Sequence, residues 1–323
     1  MRVRLFGALV LAGLALAAGQ AHAQSFPTKP IRFVVPFAPG GSTDTLARTL
    51  GSKVSESLGQ QVVIDNRTGA NGNIGMEIVA KAPPDGHTIV LGYIANVAIG
   101  PSLYDKLPFD PVRDFDAITL LATSPNVLVA HPSVPAASLK ELIALAKAKP
   151  GGLNYASASV ASVGHLTGEL LNNLAGVKMV HVAYKGSGQA VTDLLGGHIQ
   201  LMFSGFSSTL PHIKSGKLRA IAQTGAKRSS ALPDVPTIAE SGFPGFEATA
   251  WYGVMAPAKT PRPIVNRLNA EFVKALKLSD VRDRLSGLGF EIAGDSPEHF
   301  SRYIKSEITK WAKVVKASGA RPE

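Results

Sequence analysis

The sequence has 323 residues and contains no cysteine. Disulfides, thiol catalysis and a cysteine-linked lipid anchor are therefore excluded. After residue 23, no apolar run approaches the roughly 20 residues that a transmembrane helix requires. A chain of this kind must be stabilised by its hydrophobic core, and its length is sufficient for one large domain or two ordinary ones.

The common catalytic and metal-binding signatures are also missing. The chain has no Gly-x-Ser-x-Gly elbow, no His-Glu-x-x-His, no phosphate-binding loop with a terminal lysine and no Gly-x-Gly-x-x-Gly. The histidines show no ligand spacing, and Asp110, Asp114 and Asp116 lack the glycine and glutamate of a calcium loop. We therefore expect no metal, no cofactor and no enzymatic activity. A catalytic site assembled from distant residues stays open as an alternative, because triads need no local motif.

The net charge of +10 is spread along the chain and does not form basic runs with interleaved aromatic residues. Nucleic-acid binding is therefore not predicted. The one modest concentration, Lys305, Lys310, Lys313 and Lys316, is typical of a solvated helix face. A positive balance favours anionic small molecules through long-range attraction.

The first 23 residues have the features of a secretory signal peptide. Arg2 and Arg4 precede an apolar stretch over residues 5–19, and Ala21-His22-Ala23 supplies the small-x-small cleavage pattern. Cleavage after Ala23 would leave 300 residues with a net charge of +8. A cysteine-free exported chain is typical of a bacterial periplasm, which is the predicted location.

Strand and helix patterns alternate along the remaining chain, which predicts an α/β fold with largely parallel sheets. Proline and glycine are dense over residues 101–135 and 231–261. These breaks predict that the chain leaves a first domain (24–124 plus 253–323), forms a second (125–252), and returns. Crossings near 123–126 and 248–252 would act as a hinge, with a ligand cleft between the two lobes.

Four glycine- or hydroxyl-rich turns follow predicted strands: residues 39–44, 69–75, 157–164 and 184–188. In the first, an apolar strand ends before Pro39-Gly40-Gly41 and a helix begins. Free N–H groups at a helix start, together with the helix dipole, form an anion site. Each turn alone could be an ordinary connection, but open α/β sheets bind ligands at these strand ends.

These residues resemble the Bug proteins, the periplasmic solute receptors of tripartite tricarboxylate transporters. The similarity covers residues 29–44, Asn66-Arg67 before the second turn, 84–88 and Tyr184-Lys185-Gly186, and continues in order through 194–197, 216–220, 232–237 and 256–261. The resemblance implies a two-lobed periplasmic binding fold of type II, with a closing cleft and no catalysis. It also implies a small carboxylate ligand, delivery to membrane permease subunits and a monomeric receptor.

The resemblance also implies a set of binding residues. The first lobe would bind one carboxylate through main-chain groups, and the second would provide the specificity contacts. The first set is Gly40, Gly41, Ser42, Thr43, Asp44, Ala70, Asn71 and Gly72; the second is Ser157, Ser159, Ser162, Val163, Gly164, Tyr184, Lys185 and Ser204.

One position departs from the family pattern. Many relatives have an acidic residue where this chain has Ser204-Gly205-Phe206. Without that acid an amino-acid ligand is disfavoured, and we expect a di- or tricarboxylate, aliphatic or aromatic. Two alternatives stay open: a sensor that presents its closed form to a kinase, and a secreted α/β hydrolase that uses Ser162 or His165.

Overall fold

The computed structural model describes residues 26–160, 162–184 and 186–321. The predicted signal peptide and Lys185 lie outside the described residues. The strands are β1 (Ile31–Val35), β2 (Val62–Asn66), β3 (Thr88–Tyr93), β4 (Phe115–Ala130), β5 (Asn154–Ser157), β6 (Val180–Ala183), β7 (Leu201–Gly205), β8 (Arg219–Gln223), β9 (Thr249–Pro257) and β10 (Glu291–Ile292). The α-helices are α1 (Ser42–Leu58), α2 (Asn73–Ala80), α3 (Gly100–Leu103), α4 (Leu139–Ala148), α5 (Val163–Ala175), α6 (Ser187–Leu195), α7 (Phe206–Lys214), α8 (Arg262–Leu276), α9 (Ser279–Gly287) and α10 (Pro297–Ser318).

The strands form two groups, which define the two lobes. In lobe 1, β1 pairs in parallel with β2 and β3, and β9 joins β3 in antiparallel orientation. In lobe 2, β5 pairs in parallel with β6 and β7. The predicted parallel pairing is thus present within each lobe, where helices on the sheet connect the strands.

Strand β4 belongs to both lobes. Its residues up to Pro125 pair with β9, whereas Asn126 to Ala130 pair with β7, and all these pairings are antiparallel. The expectation of largely parallel sheets is therefore incomplete, because the two strands that join the lobes run against their neighbours. The chain returns to lobe 1 at the start of β9.

Thr224 forms hydrogen bonds with both of the segments that cross between the lobes. Its hydroxyl accepts from the N–H of Asn126 at 2.8 Å and donates to the carbonyl of Ala248 at 2.7 Å. The backbone N–H of Thr224 donates to Asn126, and its carbonyl accepts from Ala248. One fully buried residue therefore pairs with buried backbone N–H and carbonyl groups of both crossing segments.

The core is apolar and continuous from lobe 1 into β4, and a second cluster fills the far side of lobe 2. The long helix α10 buries one apolar stripe, which includes Phe300, Ile304, Trp311 and Val315. It packs against β4 and also against α5 of lobe 2. Within the described residues, no helix combines the length and apolar character needed to cross a membrane.

Candidate functional site

A cavity of about 800 Å³ lies between the lobes, at the carboxyl ends of β1, β3, β5 and β7. This is the edge at which open α/β sheets bind ligands. Both lobes contribute to the lining, and the hydroxyl oxygens of Ser42 in lobe 1 and Ser207 in lobe 2 approach to 3.4 Å. The volume is in the range of small-molecule sites.

The Pro39-Gly40-Gly41 turn forms the lobe 1 wall of the cavity. Gly41 is the N-cap of α1 in an extended conformation and supplies no side-chain cap. The first N–H groups of a helix have no partner within it, so those of α1 are available to an external acceptor. Gly40 has a φ of 84°, in the left-handed region that favours glycine.

Asp44 stabilises this turn from behind. Its Oδ2 accepts from the N–H of Gly40 at 3.0 Å and from Arg48 Nε at 2.9 Å, and its Oδ1 accepts from Asn66 Nδ2 at 3.0 Å. Burial opposes ionisation of this carboxyl. The hydrogen bonds from Arg48, Gly40 and Asn66 outweigh that cost and hold the pKa of Asp44 below its usual value. The carboxylate of Asp44 thus accepts hydrogen bonds from groups of its own lobe, and it does not line the cavity.

The second lobe 1 loop, residues 69–72, has an unusual backbone. Gly69, Ala70, Asn71 and Gly72 have φ values of 123°, 46°, 54° and 91°. Consecutive left-handed residues, two of them not glycine, are strained and concentrate at functional sites. Asn71 lines the cavity, and its buried Nδ2 has no hydrogen-bond partner. This amide can donate to a ligand oxygen.

Loop 158–162 and the start of α5 form the facing wall in lobe 2. Ser162 is the N-cap of α5, accepting from the N–H of His165 at 3.3 Å. Ser159, Ser162, Val163 and Gly164 line the cavity. Ser162 lies within hydrogen-bond distance of Ser157 and of the Ser159 carbonyl, and no imidazole of the described residues lines the cavity. The arrangement required for a serine hydrolase is therefore not assembled at this surface.

Two further helices begin at the lobe 2 wall. Gly186 and Gly205 are the N-caps of α6 and α7, and neither helix has a side-chain cap. Gly186, Ser187 and Gly188 line the cavity and belong to the predicted turn 184–188, although the predicted set of binding residues did not include them. Gly205, Ser207 and Ser208 also line it and were outside both the predicted turns and the predicted set. A glycine directly before a helix pattern is the signal that could have identified them.

An aromatic surface lies between these polar walls. Phe37, Tyr93 and Tyr252 line the cavity, with ring centroids of neighbouring pairs 5.4 Å and 5.1 Å apart. Burial raises the pKa of Tyr93 and raises that of Tyr252 to about 12. Both phenols are therefore neutral at physiological pH. The predicted set of binding residues included none of these three, although Phe37 lies within the family motif of residues 29–44.

The cavity attracts anions without cationic side chains among its described lining residues. The N-termini of α1, α5, α6 and α7 meet there. Each carries a partial positive charge from the helix dipole. Hydroxyl and N–H groups can then satisfy the lone pairs of a carboxylate.

Eleven of the sixteen predicted residues line the cavity: Gly40, Gly41, Ser42, Thr43, Asn71, Gly72, Ser159, Ser162, Val163, Gly164 and Ser204. Asp44, Ala70, Ser157 and Tyr184 do not. Ala70 is exposed outside it, and Ser157 is fully buried behind the loop. The hydroxyl of Tyr184 donates to Asp193 at 2.8 Å, and burial first and this bond second raise its pKa to about 12. Lys185 lies outside the described residues.

Comparison with known proteins finds relatives that align with nearly the whole chain. The chain is 43% identical over 312 residues to a protein encoded in the tcbD-tcbE intergenic region of Pseudomonas sp. strain P51, covering 95% of this chain and 93% of the relative. It is 39% identical over 305 residues to protein BugT of Bordetella pertussis, with 94% of each chain covered.

Solved structures of similar proteins share this fold. The R. palustris protein Rpa4515 with adipate has a TM-score of 0.85 and 38% identity, covering 92% of this chain and all of that one. MatC from Rhodopseudomonas palustris with bound malate has a TM-score of 0.80 and 36% identity, covering 90% of this chain and all of that one. A family model described as the tripartite tricarboxylate transporter family receptor matches residues 46–320. The chain therefore belongs to the Bug-type receptor family of tripartite tricarboxylate transporters.

Proposed function

We propose that this protein is a periplasmic receptor that binds a small dicarboxylate between its lobes and delivers it to membrane permease subunits. The observation that carries the proposal is the convergence of helix N-termini from both lobes on one cavity with no charged side chain among its described lining residues. Groups of this kind on two facing walls suit a ligand with an anionic group at each end. Relatives with adipate and with malate support this ligand class.

In this proposal the lobe 1 turn at Gly40 and Gly41 and the amide of Asn71 bind one carboxylate. The second carboxylate binds at the lobe 2 wall, where Ser159, Ser162 and the starts of α6 and α7 provide donors. The aromatic surface of Phe37, Tyr93 and Tyr252 contacts the carbon chain between them. Cleavage after Ala23 and export to the periplasm belong to the same proposal.

The domain boundaries are proposed as 24–124 plus 253–323 and 125–252. The change of partner in β4 between Pro125 and Asn126 supports the first crossing. The return at the start of β9 supports the second. Closure would rotate the lobes about these two strands and bring the two walls onto the ligand.

The test is a binding measurement on ligand-free protein. The protein is first unfolded, then dialysed to remove any bound ligand, and then refolded. Adipate and malate are titrated by calorimetry, with hexylamine and glycine as controls of other charge. We expect one-to-one binding of a dicarboxylate and no binding of the controls. At one hundred times its Kd, a ligand should stabilise the fold by about 2.7 kcal/mol, which raises the Tm of a folded chain of this length by roughly 4 °C. The proposal would be refuted if no member of a panel of C4–C8 dicarboxylates bound to the protein.

Transport and sensing use the same cleft and differ only in the partner. Capture of the protein with and without ligand on membranes that contain the permease subunits tests the transport role. Ligand-dependent retention supports it, whereas retention only by a membrane-bound kinase would support the sensor. Incubation of the bound acid followed by mass spectrometry tests the hydrolase hypothesis, for which unchanged ligand is the expected result.

A further inference from the structure

A cluster of polar side chains lies directly behind the lobe 2 wall and outside the cavity lining; Tyr155, Ser157 and His165 are buried, and His181 is half-buried. Its centre is a stacked pair of imidazoles, His165 on α5 and His181 on β6, with ring centroids 3.8 Å apart and planes inclined by 13°. Tyr155, which is opposite His181 in the β5–β6 pairing, packs against the same ring at 5.1 Å. A polar cluster at such depth is retained only where its hydrogen bonds are satisfied.

The cluster is connected to the wall through Ser157, the last residue of β5. Its hydroxyl is 2.7 Å from His181 Nε2, 3.0 Å from the hydroxyl of Ser162 and 2.8 Å from the carbonyl of Ser159. Ser162 and Ser159 both line the cavity, whereas Ser157 is completely buried. The path from imidazole to cavity is therefore two hydrogen bonds long.

Two arrangements of protons are compatible with the contacts in this path, since a hydroxyl donates once and accepts twice. In the first, Ser157 donates to the Ser159 carbonyl and accepts from His181 Nε2–H and from the Ser162 hydroxyl. In the second, Ser162 donates to the Ser159 carbonyl and Ser157 donates to His181 Nε2. In both, Ser162 accepts from the backbone N–H of His165. The first arrangement uses three of the four hydroxyl contacts and the second uses two, so the geometry favours the tautomer of His181 with its proton on Nε2.

His181 remains neutral in this environment. Burial, and secondarily the neighbouring His165, lower the pKa of His181 to about 3. Burial likewise lowers the pKa of His165, with Glu169 acting in the opposite direction. Since neither ring is expected to gain a proton near neutral pH, the pattern of donors and acceptors is fixed.

We propose that His181 is a positioning residue for ligand binding, which acts through Ser157 to hold Ser159 and Ser162 in the geometry that binds the second carboxylate. The inference rests on the proposed function, because it assigns the lobe 2 wall to that group. Loss of the imidazole removes one of the three contacts of the Ser157 hydroxyl, which is then held only by Ser159 and Ser162 of the loop itself. Loop 158–162 thereby loses its hydrogen-bonded link to β6.

The test compares adipate affinity by calorimetry in three lobe 2 variants and the unchanged protein. His181→Leu fills a similar volume but has no donor. His181→Gln places an amide N–H near the position of Nε2. His198→Leu replaces an exposed histidine of the same lobe and serves as the control. We expect about tenfold weaker binding for His181→Leu, recovery to within threefold for His181→Gln, and no change for the control.

Ser157→Ala provides an independent variant that removes one oxygen and leaves the imidazole pair in place. We expect it to weaken adipate binding by about tenfold, with a circular dichroism spectrum equal to that of the unchanged protein. Nitrogen-15 NMR of the histidines should show a proton on Nε2 of His181.

The inference is overturned if the unchanged protein binds adipate and His181→Leu binds it equally well, or if the leucine and glutamine variants are equally impaired. A proton on Nδ1 would also overturn it. If the unchanged protein binds no dicarboxylate at all, the proposed function fails first and the inference fails with it, so the two failures are distinguishable.

Discussion

Replacing Asp44 by asparagine is the sharpest test of how the lobe 1 turn is held. The change keeps the shape of the side chain but removes the negative charge that accepts from Gly40, Arg48 and Asn66. One of the two terminal atoms also becomes a donor. It must then face a backbone N–H, the arginine or the Asn66 amide, all of which are donors themselves.

The expected magnitude follows from these contacts. A hydrogen bond to a charged group contributes about 1.5–3 kcal/mol, and Asp44 is buried, so solvent does not replace the loss. We therefore expect the free energy of unfolding to fall by about 2 kcal/mol at pH 7. Because Gly40 is part of the proposed carboxylate site, binding of adipate should weaken by about tenfold, which corresponds to 1.4 kcal/mol.

The pH dependence separates charge from shape. The pKa of Asp44 is lower in the folded state than in the unfolded state, so its contribution to stability is complete above the unfolded pKa and is lost as pH falls through the folded one. Urea unfolding of both proteins at pH 7, 4.5 and 2.5 should therefore give a difference that is unchanged at pH 4.5 and narrows at pH 2.5. Asp105→Asn, at an exposed carboxylate, is the control. A difference that stays constant down to pH 2.5 would refute the reasoning, since charge would then not be its cause.

Three further changes test other parts of the site. Gly72→Ala should abolish adipate binding in calorimetry and lower Tm, because φ is 91° and a Cβ would lie 2.7 Å from Asn96 Nδ2; unchanged affinity would contradict the assigned loop. Tyr93→Leu should weaken adipate binding about threefold to tenfold and malate binding less, since the longer chain contacts more of the aromatic surface; equal losses would argue against that contact. Thr224→Val should lower the free energy of unfolding, measured with urea, by about 2–4 kcal/mol. The change leaves the buried N–H of Asn126 and the carbonyl of Ala248 without the hydroxyl that pairs with them. An unaltered urea midpoint would show that the crossing is held by other contacts.

Local patterns predicted the parts of the fold that depend on local interactions. Strand β3 over Thr88–Tyr93 is a short apolar run, and Ser138 with Glu141 three residues later is a capping pattern whose hydroxyl accepts from the backbone N–H of Glu141. The turn after β1 was recognised because the apolar run, the glycines and the helix pattern are contiguous. Side-chain period and turn residues are sufficient for such elements.

Strand β4, in contrast, could not be predicted from its sequence. It is the longest strand of the described chain, yet it contains Pro125, and proline normally argues against a central strand. Pro125 is tolerated because it lies where β4 leaves β9 and begins to pair with β7. That position is defined only by the arrangement of the two lobes.

Two of the predicted site residues that do not line the cavity, Asp44 and Ser157, have a common physical explanation. Asp44 and Ser157 lie within the correct turns, but their side chains point to the interior of their own lobes. Polar residues near a ligand loop serve either the ligand or the loop, and composition does not distinguish the two. The distinction depends on which partners the fold brings behind the turn, such as Arg48 for Asp44 and His181 for Ser157.

Glycine at a helix start is a sequence signal that identifies much of the cavity edge. Among the α-helices in the described part of the chain, every one whose N-cap is glycine begins at the cavity; these N-caps are Gly41, Gly72, Gly186 and Gly205. Of the serine-capped helices there, α4 and α10 begin elsewhere, with Ser138 and Ser296 as caps, whereas α5 begins at the cavity with Ser162 as its cap. A serine cap uses the acceptor of the chain itself, whereas glycine leaves the first N–H groups without one. A glycine-capped helix start at a strand end therefore indicates an acceptor that comes from outside the chain, and in this protein the carboxylate ligand is the acceptor that we propose.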